Sequence, residues 1–464
     1  MHMSNNNDLL FSRRLFLTRG VQLLSVAGTV PLFLDRSGRV MAAEFAANPQ
    51  GVGRPDRILV VVQLAGGNDG LNTVIPISND DYYKARPRLG IGRNKALKVS
   101  DDFGFHPNAS GFKKLFEDGH MSVLHAVGYP NPNRSHFRST DIWATAEPDK
   151  VGHSGWLGRY FDSCCSGADP GPAAKSAKKD KTAEPNSAVA LTNDPPTALQ
   201  GAKYIPIAFR NLEGLSYRDG AKNPAVRSAF EKLNDVSADE MMDDEHVMIQ
   251  DRQQKHILPE TGAQPREQTE EFLQRTALNA RVYADQIRKT ANTVQNKANY
   301  PQSRLSADLK LVAQMIASGM PTRVYYVTLG GFDTHSNQVN RHDQLMTQLS
   351  GALDAFITDL KGLGHFDRTV VMTFSEFGRR VSENGSQGTD HGEAAPLFMF
   401  GGPIKPGFFG EFPDLTPSKL HRGDVPFSTD FRRIYATVLR DWLKADDAKI
   451  LGRKFDPLPL LKLA

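Results

Sequence analysis

RTVVMTFSEFGRRVSENGSQGTDHGEAAPLFMFGG, residues 368–402, holds two apolar runs joined by a polar loop. Thr369 to Phe374 is apolar and β-branched without alternation, the pattern of a strand buried on both faces, and it ends at Ser375-Glu376. A Gly/Ser/Asn-rich loop leads to Thr389-Asp390-His391-Gly392, and Pro396 to Phe400 forms the second run. Loops at the ends of buried strands are where α/β proteins carry ligand-binding groups. Asp and neutral His together suit zinc, manganese or iron. The plainer reading makes Asp390 a turn cap and His391 an ordinary loop histidine.

Working outward, the same pattern recurs twice. Arg57 to Leu64 (RILVVVQL) reads as a fully buried strand and runs into Ala65-Gly66-Gly67-Asn68-Asp69-Gly70, a tight turn that presents Asp69 at a sheet edge. No GxGxxG follows, which argues against a dinucleotide site. Thr322 to Leu329 (TRVYYVTL) is a third buried strand, ending in Gly330-Gly331-Phe332-Asp333-Thr334-His335, and a helix over 339–363 carries His342 and Asp343 near its start. Turn and helix-entry chemistry accounts for each acidic residue singly. Together, three strand ends bring Asp69, Asp333 with His335, and Asp390 with His391 toward one side, because a parallel sheet puts all its C-terminal ends on one edge.

A shorter strand, Met121 to Val127, precedes Gly128-Tyr129-Pro130-Asn131-Pro132-Asn133-Arg134-Ser135-His136, and the segment after it has helical content. Ser135 falls at that helix's N-terminus, where free N–H groups and the dipole favour an anion. It reads either as an N-cap or as a nucleophile toward a phosphoryl or sulfuryl centre. Residues 166–187 are small, polar and lysine-rich, as in a flexible insertion, and 223–318 has the spacing of a helical insertion.

The N-terminus carries Ser12-Arg13-Arg14-Leu15-Phe16-Leu17, an apolar stretch over 21–34 and small residues at Val40-Met41-Ala42. This is the layout of a twin-arginine signal peptide over 1–42, and it predicts a periplasmic or secreted protein. Residues 1–42 hold five arginines and two aspartates, so the formal +4 of the whole chain falls to about +1 without them. That near-neutral balance gives no reason to expect nucleic acid as a partner, and no later apolar run is long enough to span a bilayer. The two cysteines, Cys164 and Cys165, are adjacent and supply neither a disulfide framework nor a cysteine zinc site, so Asp, Glu and His must hold any metal.

LAGGNDGLNTVIP (64–76), NRSHFRSTDIW (133–143), LGGFDTHSNQ (329–338), TFSEFGRR (373–380), TDHG (389–392) and TDFRRIYATVL (429–439) occur in that order. This set resembles the bacterial family known as domain of unknown function 1501, itself grouped with the alkaline phosphatase-like superfamily of phosphatases and sulfatases. The resemblance implies an α/β fold, a mostly parallel central sheet flanked by helices, with the helical insertion added to it. It implies one or two divalent metal ions of the zinc, manganese or iron type. Asp69, Asp333, Asp390 and His391 take the ligand positions, with His335 and His342 as alternatives beside Asp333. His421 is the candidate for the superfamily's final histidine, in a weakly matching context. Ser135 takes the nucleophile's place, with Arg134 and Arg138 near the substrate's oxygens or simply solvated. The implied activity is metal-dependent hydrolysis of phosphate or sulfate esters. No CxPxR motif is present, so formylglycine chemistry is not expected. The alternative is a noncatalytic binding or assembly protein on a degenerate version of the fold. Members of the family are often encoded beside domain of unknown function 1800 proteins, which implies a partner of that kind.

Overall fold

In the computed structural model, residues 57–165, 187–210 (apart from 203 and 205), 287, 289 and 293–462 (apart from 321) are described. They fall almost entirely in one compact unit, 47–210 with 289–464. The twin-arginine segment, the 166–187 insertion apart from Ser187, and most of the 223–318 insertion lie outside the described residues. Of that last insertion the helix Arg304–Ala317 is described. Among the described residues, no helix is long and apolar enough to cross a membrane.

The strands in chain order are β1 (Ile58–Ala65), β2 (Val74–Pro76), β3 (Leu97–Lys98), β4 (Phe103–Phe105), β5 (Met121–Gly128), β6 (Ser187–Ala190), β7 (Ile207–Ala208), β8 (Thr322–Gly330), β9 (Thr369–Phe374), β10 (Ala395–Phe400), β11 (Gly407–Phe409) and β12 (Thr429–Asp430). The main sheet runs β11-β5-β10-β9-β1-β8-β6-β7, with β12 also on β5. Every pairing in it is parallel except the two that β10 makes with β5 and β9. The protein is therefore a mixed α/β fold with a mostly parallel sheet, as the resemblance implied. β2, β4 and β3 form a small separate sheet.

β1 sits in the middle because both its faces are apolar. Leu59 and Val61 join Val324, Tyr326, Val370 and Met372 on one face. There they meet Trp143, Trp156 and Tyr435 from the helices His136–Thr145, Trp156–Cys165 and Phe431–Thr437. The rings stack, Trp156 on Tyr435 at 4.1 Å and Trp143 on Phe431 at 4.4 Å. Ile58, Val60 and Val62, of opposite parity, are fully buried on the other side. The helices Ser110–Glu117, Arg304–Ala317 and Gln338–Gly362 pack together there. Each such Val, Leu or Ile contributes about 1.5–3 kcal/mol on burial.

One feature of the topology was not expected. β10 runs antiparallel, so its N-terminus, and the 375–394 loop that feeds it, lie at the same sheet edge as the C-terminal ends of β1, β5, β8 and β9. All the strand-end residues singled out above therefore face one edge.

Candidate metal centre

At that edge, three loops are tied together by one arginine. Arg379 is fully buried, and its guanidinium donates to the carbonyls of Gly67 (2.9 Å), Thr389 (2.8 Å), Phe332 (3.0 Å) and Gly66. The same group donates to Asp333 Oδ1 at 2.7 Å. Gly66 and Gly67 allow this close approach, with φ of +120° and +82°. A Cβ at Gly66 would lie 2.4 Å from the Asp333 nitrogen, and one at Gly67 would meet the Phe377 ring at 2.4 Å. Neither position tolerates a side chain.

Around Asp333 stand three imidazoles. His136 Nε2 is 3.3 Å from Asp333 Oδ2, and His391 Nε2 and His335 Nε2 are each 3.1 Å from Oδ1. Each ring is held from behind through Nδ1. His136 Nδ1 donates to Glu376 Oε1 (2.9 Å), His391 Nδ1 to the Arg134 carbonyl (2.8 Å), and His335 Nδ1 faces Asp390 Oδ1 (3.3 Å). An imidazole that donates from Nδ1 presents a lone pair at Nε2, so this backing fixes the tautomer that ligates metal. Phe377 packs on both His136 and His391, with ring centroids 4.9 and 4.5 Å away.

Electrostatics point the same way. Burial pulls the His391 imidazole below its usual range, which keeps it neutral, although the adjoining Asp333 carboxylate pulls the other way. Burial raises the Asp333 carboxyl, but the hydrogen bond and charge of Arg379 lead the effects that outweigh it and hold the group well below the carboxylate range, hence ionised. The nitrogens His335 Nε2 and His391 Nε2 are only 2.9 Å apart. Two neutral lone pairs at that distance repel unless a proton or a cation sits between them. A tetrahedral zinc with bonds of about 2.0–2.1 Å sets neighbouring donors about 3.3–3.4 Å apart, so the Asp333 distances suit a shared cation. Among the described residues, the set whose ligand atoms all lie within 4.8 Å of one another is His136, Asp333 and His391, with His335 adjoining it on the His391 side.

Residues 56–451 match the model of the family described as "Protein of unknown function (DUF1501)". The chain belongs to that family. No curated protein matches this DUF1501 chain. Among solved structures it is similar to the crystal structure of PsFucS1 sulfatase from Pseudoalteromonas sp.. The likeness is 11% identity over 91% of this chain and 74% of that one, with a TM-score of 0.35, and it carries no argument here.

The expected residues divide into two groups. Asp333, His335 and His391 come together, and Asp390 stands behind His335, itself held by Asn384 Nδ2 at 3.0 Å. Asp69 and His342 do not join them. Asp69 is fully buried, with Oδ2 taking both Arg86 (2.7 Å) and Gln338, and Oδ1 capping the short helix Gly70–Thr73 through the Asn72 amide. Burial raises its carboxyl most, but Arg86, His342 and Gln338 together outweigh it and the net shift is downward. His342 lies enclosed on the 338–362 helix, edge-on to His106 at 5.3 Å.

Ser135 is the exposed N-cap residue of the 136–145 helix, and its hydroxyl makes no capping bond. The arginines expected near a substrate are engaged elsewhere. Arg138 pairs with Asp141 and donates to the carbonyls of Glu147, Pro148 and Lys150, bracing the turn after its own helix. Arg134 pairs with the buried Asp424. His421 contacts Glu393 rather than the cluster, Nδ1 to Oε1 at 2.6 Å.

His136, Glu376 and Arg379 were not anticipated. Glu376 follows the rule that found Asp69 and Asp333, an acidic residue where a buried strand ends, and extending that rule to β9 would have found it. His136 had a weaker signal, a histidine beside the serine already singled out. Arg379 had none, since its acceptors come from loops far apart in sequence.

Proposed function

We propose that this DUF1501 protein is an exported, metal-dependent hydrolase of phosphate or sulfate esters. The observation that carries the proposal is the set of three imidazoles, each backed at Nδ1, whose Nε2 atoms surround one ionised aspartate. His136, His335, His391 and Asp333 would hold a divalent ion of the zinc, manganese or iron type, for which this donor set is suited. When bound, such an ion supplies Lewis-acid polarisation of a phosphoryl or sulfuryl oxygen.

The chain's own groups do the rest. Ser135 stands between Arg134, whose carbonyl accepts from His391, and His136. Its exposed hydroxyl stands at the start of a helix whose free N–H groups favour an approaching anion. In this reading the Ser135 oxygen bonds to phosphorus or sulfur, and the covalent ester is later hydrolysed. Arg379 keeps Asp333 charged and holds the three loops in register, and Glu376 orients His136. The alkaline phosphatase-like ancestry, twin-arginine export and periplasmic or secreted location belong to the same proposal.

The test is hydrolysis of 4-nitrophenyl phosphate and 4-nitrophenyl sulfate by the metal-loaded protein, beside Ser135→Ala. Turnover of one ester that falls at least 10³-fold in the variant, with metal content unchanged, is the expected result. Activity that survives in Ser135→Ala removes the nucleophile assignment.

A second reading has its own observation. Asp69 has Arg86 where a second metal ion would need to be, and His342 and His421 lie elsewhere, so one cation set is assembled among the described residues. A binding or assembly protein with a single metal, partnered by a domain of unknown function 1800 protein, would fit that. Binding of such a partner without ester turnover would favour it.

A further inference from the structure

β5 does not run evenly beside its neighbour. Ala395 of β10 pairs with Val127 and Leu397 with Leu124, so His125 and Ala126 together stand opposite the single residue Pro396. Two residues against one is a β-bulge, which re-aims a side chain out of the regular ladder. Ala126 takes the strain, with a φ of +46° that residues other than glycine seldom adopt. Backbone outliers of this kind gather at binding sites, where the surroundings hold them in place.

His125 is the polar residue of this bulge. Its residue is 3% exposed, and three phenylalanines box the ring. Phe408 stacks on it with centroids 5.2 Å apart and planes 13° apart, Phe103 lies tilted at 5.1 Å, and Phe412 meets it edge-on at 5.2 Å. Nε2 is buried and has no hydrogen-bond partner. Burial alone pulls the imidazole down to about 4, which keeps it neutral. An unpaired polar atom in an aromatic shell is costly to the fold, and it calls for a partner from outside.

His125 also forms part of the wall of a pocket. The rest of that wall is mostly apolar, with Leu71, Val74, Ala395, Pro396, Phe412 and Val425, and the space it encloses with its mouth is about 370 Å³. That is near the lower end of the range for small-molecule sites. Arg379 closes one side. Its guanidinium is already taken by carbonyls of three loops and by Asp333, so it offers little to an anion.

We propose that this pocket binds a neutral single-ring molecule carrying one hydroxyl, of which phenol is the simplest, with the hydroxyl on His125 Nε2. The apolar wall and the Phe412 ring favour an aromatic body. A charged ligand would lose its hydration and find no free countercharge. A hydroxyl both donates and accepts, so it satisfies the imidazole nitrogen in either tautomer. Binding there needs no turnover and stands apart from the hydrolase reading.

The experiment titrates phenol and toluene, two rings of similar size, into wild type, His125→Phe and Val425→Phe by calorimetry. His125→Phe keeps a ring in the aromatic box and removes only the unpartnered nitrogens, so it should fold. The expected result is that the affinity for phenol relative to toluene falls about tenfold in His125→Phe. Val425→Phe narrows the pocket and should weaken both ligands. An unchanged phenol-to-toluene ratio in His125→Phe, or undiminished binding of both in Val425→Phe, would overturn the site. Wild type alone supplies a further check, since ¹⁵N NMR should show His125 Nε2 shifting more with phenol than with toluene. No shift with phenol, as when Nε2 meets only water, would also overturn it.

Discussion

Asp69 and Asp333 stand at the ends of neighbouring strands, β1 and β8, on one edge of one sheet, yet their surroundings make them different objects. Asp69 has no exposed side-chain surface, and its countercharge is an equally buried arginine, Arg86. Amides from Gln338 and Asn72 take what remains of the carboxylate. Asp333 is nearly half exposed, at 46%, and apart from Arg379 its neighbours are imidazole nitrogens. A carboxylate whose charge and hydrogen-bonding capacity are already met by fixed groups is structural. One ringed by oriented lone pairs is, in the reading proposed above, the place for a cation that comes from outside. Strand-end position alone cannot separate the two; the partner residues do.

The largest expected effect tests the structural half of this contrast. Asp69→Ala strands Arg86 as an uncompensated buried charge, which should cost about 3–5 kcal/mol in unfolding free energy. Asp333→Ala also takes the carboxylate from the buried Arg379, but that guanidinium keeps its backbone carbonyls and the exposed site admits water, so the loss in the metal-free protein should be the smaller of the two. Urea unfolding of both variants without metal measures the difference, and equal losses would break the comparison.

The buried half should also be the acid-sensitive one. His342 faces Asp69, Arg86 and His106, and burial pulls its imidazole down to about 4 even though Asp69 favours the charged form. The unfolded chain takes up a proton near pH 6.5 and the folded one does not until about pH 4, so stability should fall as pH falls between those values. The loss is on the order of 3 kcal/mol. Asp69 adds to it at lower pH, since its depressed carboxyl stabilises the fold above its ordinary value of 3.8 and that support goes as the group is protonated. Thermal melts at pH 7 and pH 5 should show the fall in wild type and a flatter profile in His342→Gln. A pH-independent wild type would contradict the burial argument.

A smaller effect sharpens the other half. Glu376 backs the ligand His136, and its Oε1 also accepts from the Gly66 amide at 2.7 Å, so Glu376→Gln should weaken metal binding about 10–100-fold with stoichiometry preserved at high metal concentration. Titration with a competing chelator measures this, and an unchanged affinity would show that the His136 tautomer needs no carboxylate behind it.

Much of the frame was legible in the residues, and for identifiable reasons. β9 occupies Thr369–Phe374, the limits that its unbroken apolar run marks, and β1, β5 and β8 agree to within a residue or so. Strands buried on both faces cannot hide their pattern. The direction of β10 was not legible, because an apolar run reads the same both ways, and that direction is what returns His391 to the sheet edge. Of the ligand set, Asp333, His335 and His391 stood out as acidic and imidazole pairs at strand ends. Helical phase decided against His342, since its position on the 338–362 helix turns it inward toward Asp69. The supporting groups, Arg379 above all, depend on where separate loops meet, and no local pattern encodes that.

The central claim is that Asp333 and its three histidines bind a metal ion and that Asp69 does not. Elemental analysis of the purified, folded protein, beside Asp333→Ala, His391→Ala and a folded sample of Asp69→Ala, tests it most directly. The account predicts about one zinc, manganese or iron per chain, lost in Asp333→Ala and His391→Ala and kept in Asp69→Ala. A folded wild-type protein that carries no such metal and takes none up on addition, or one whose metal leaves with Asp69 and stays without Asp333, would contradict it.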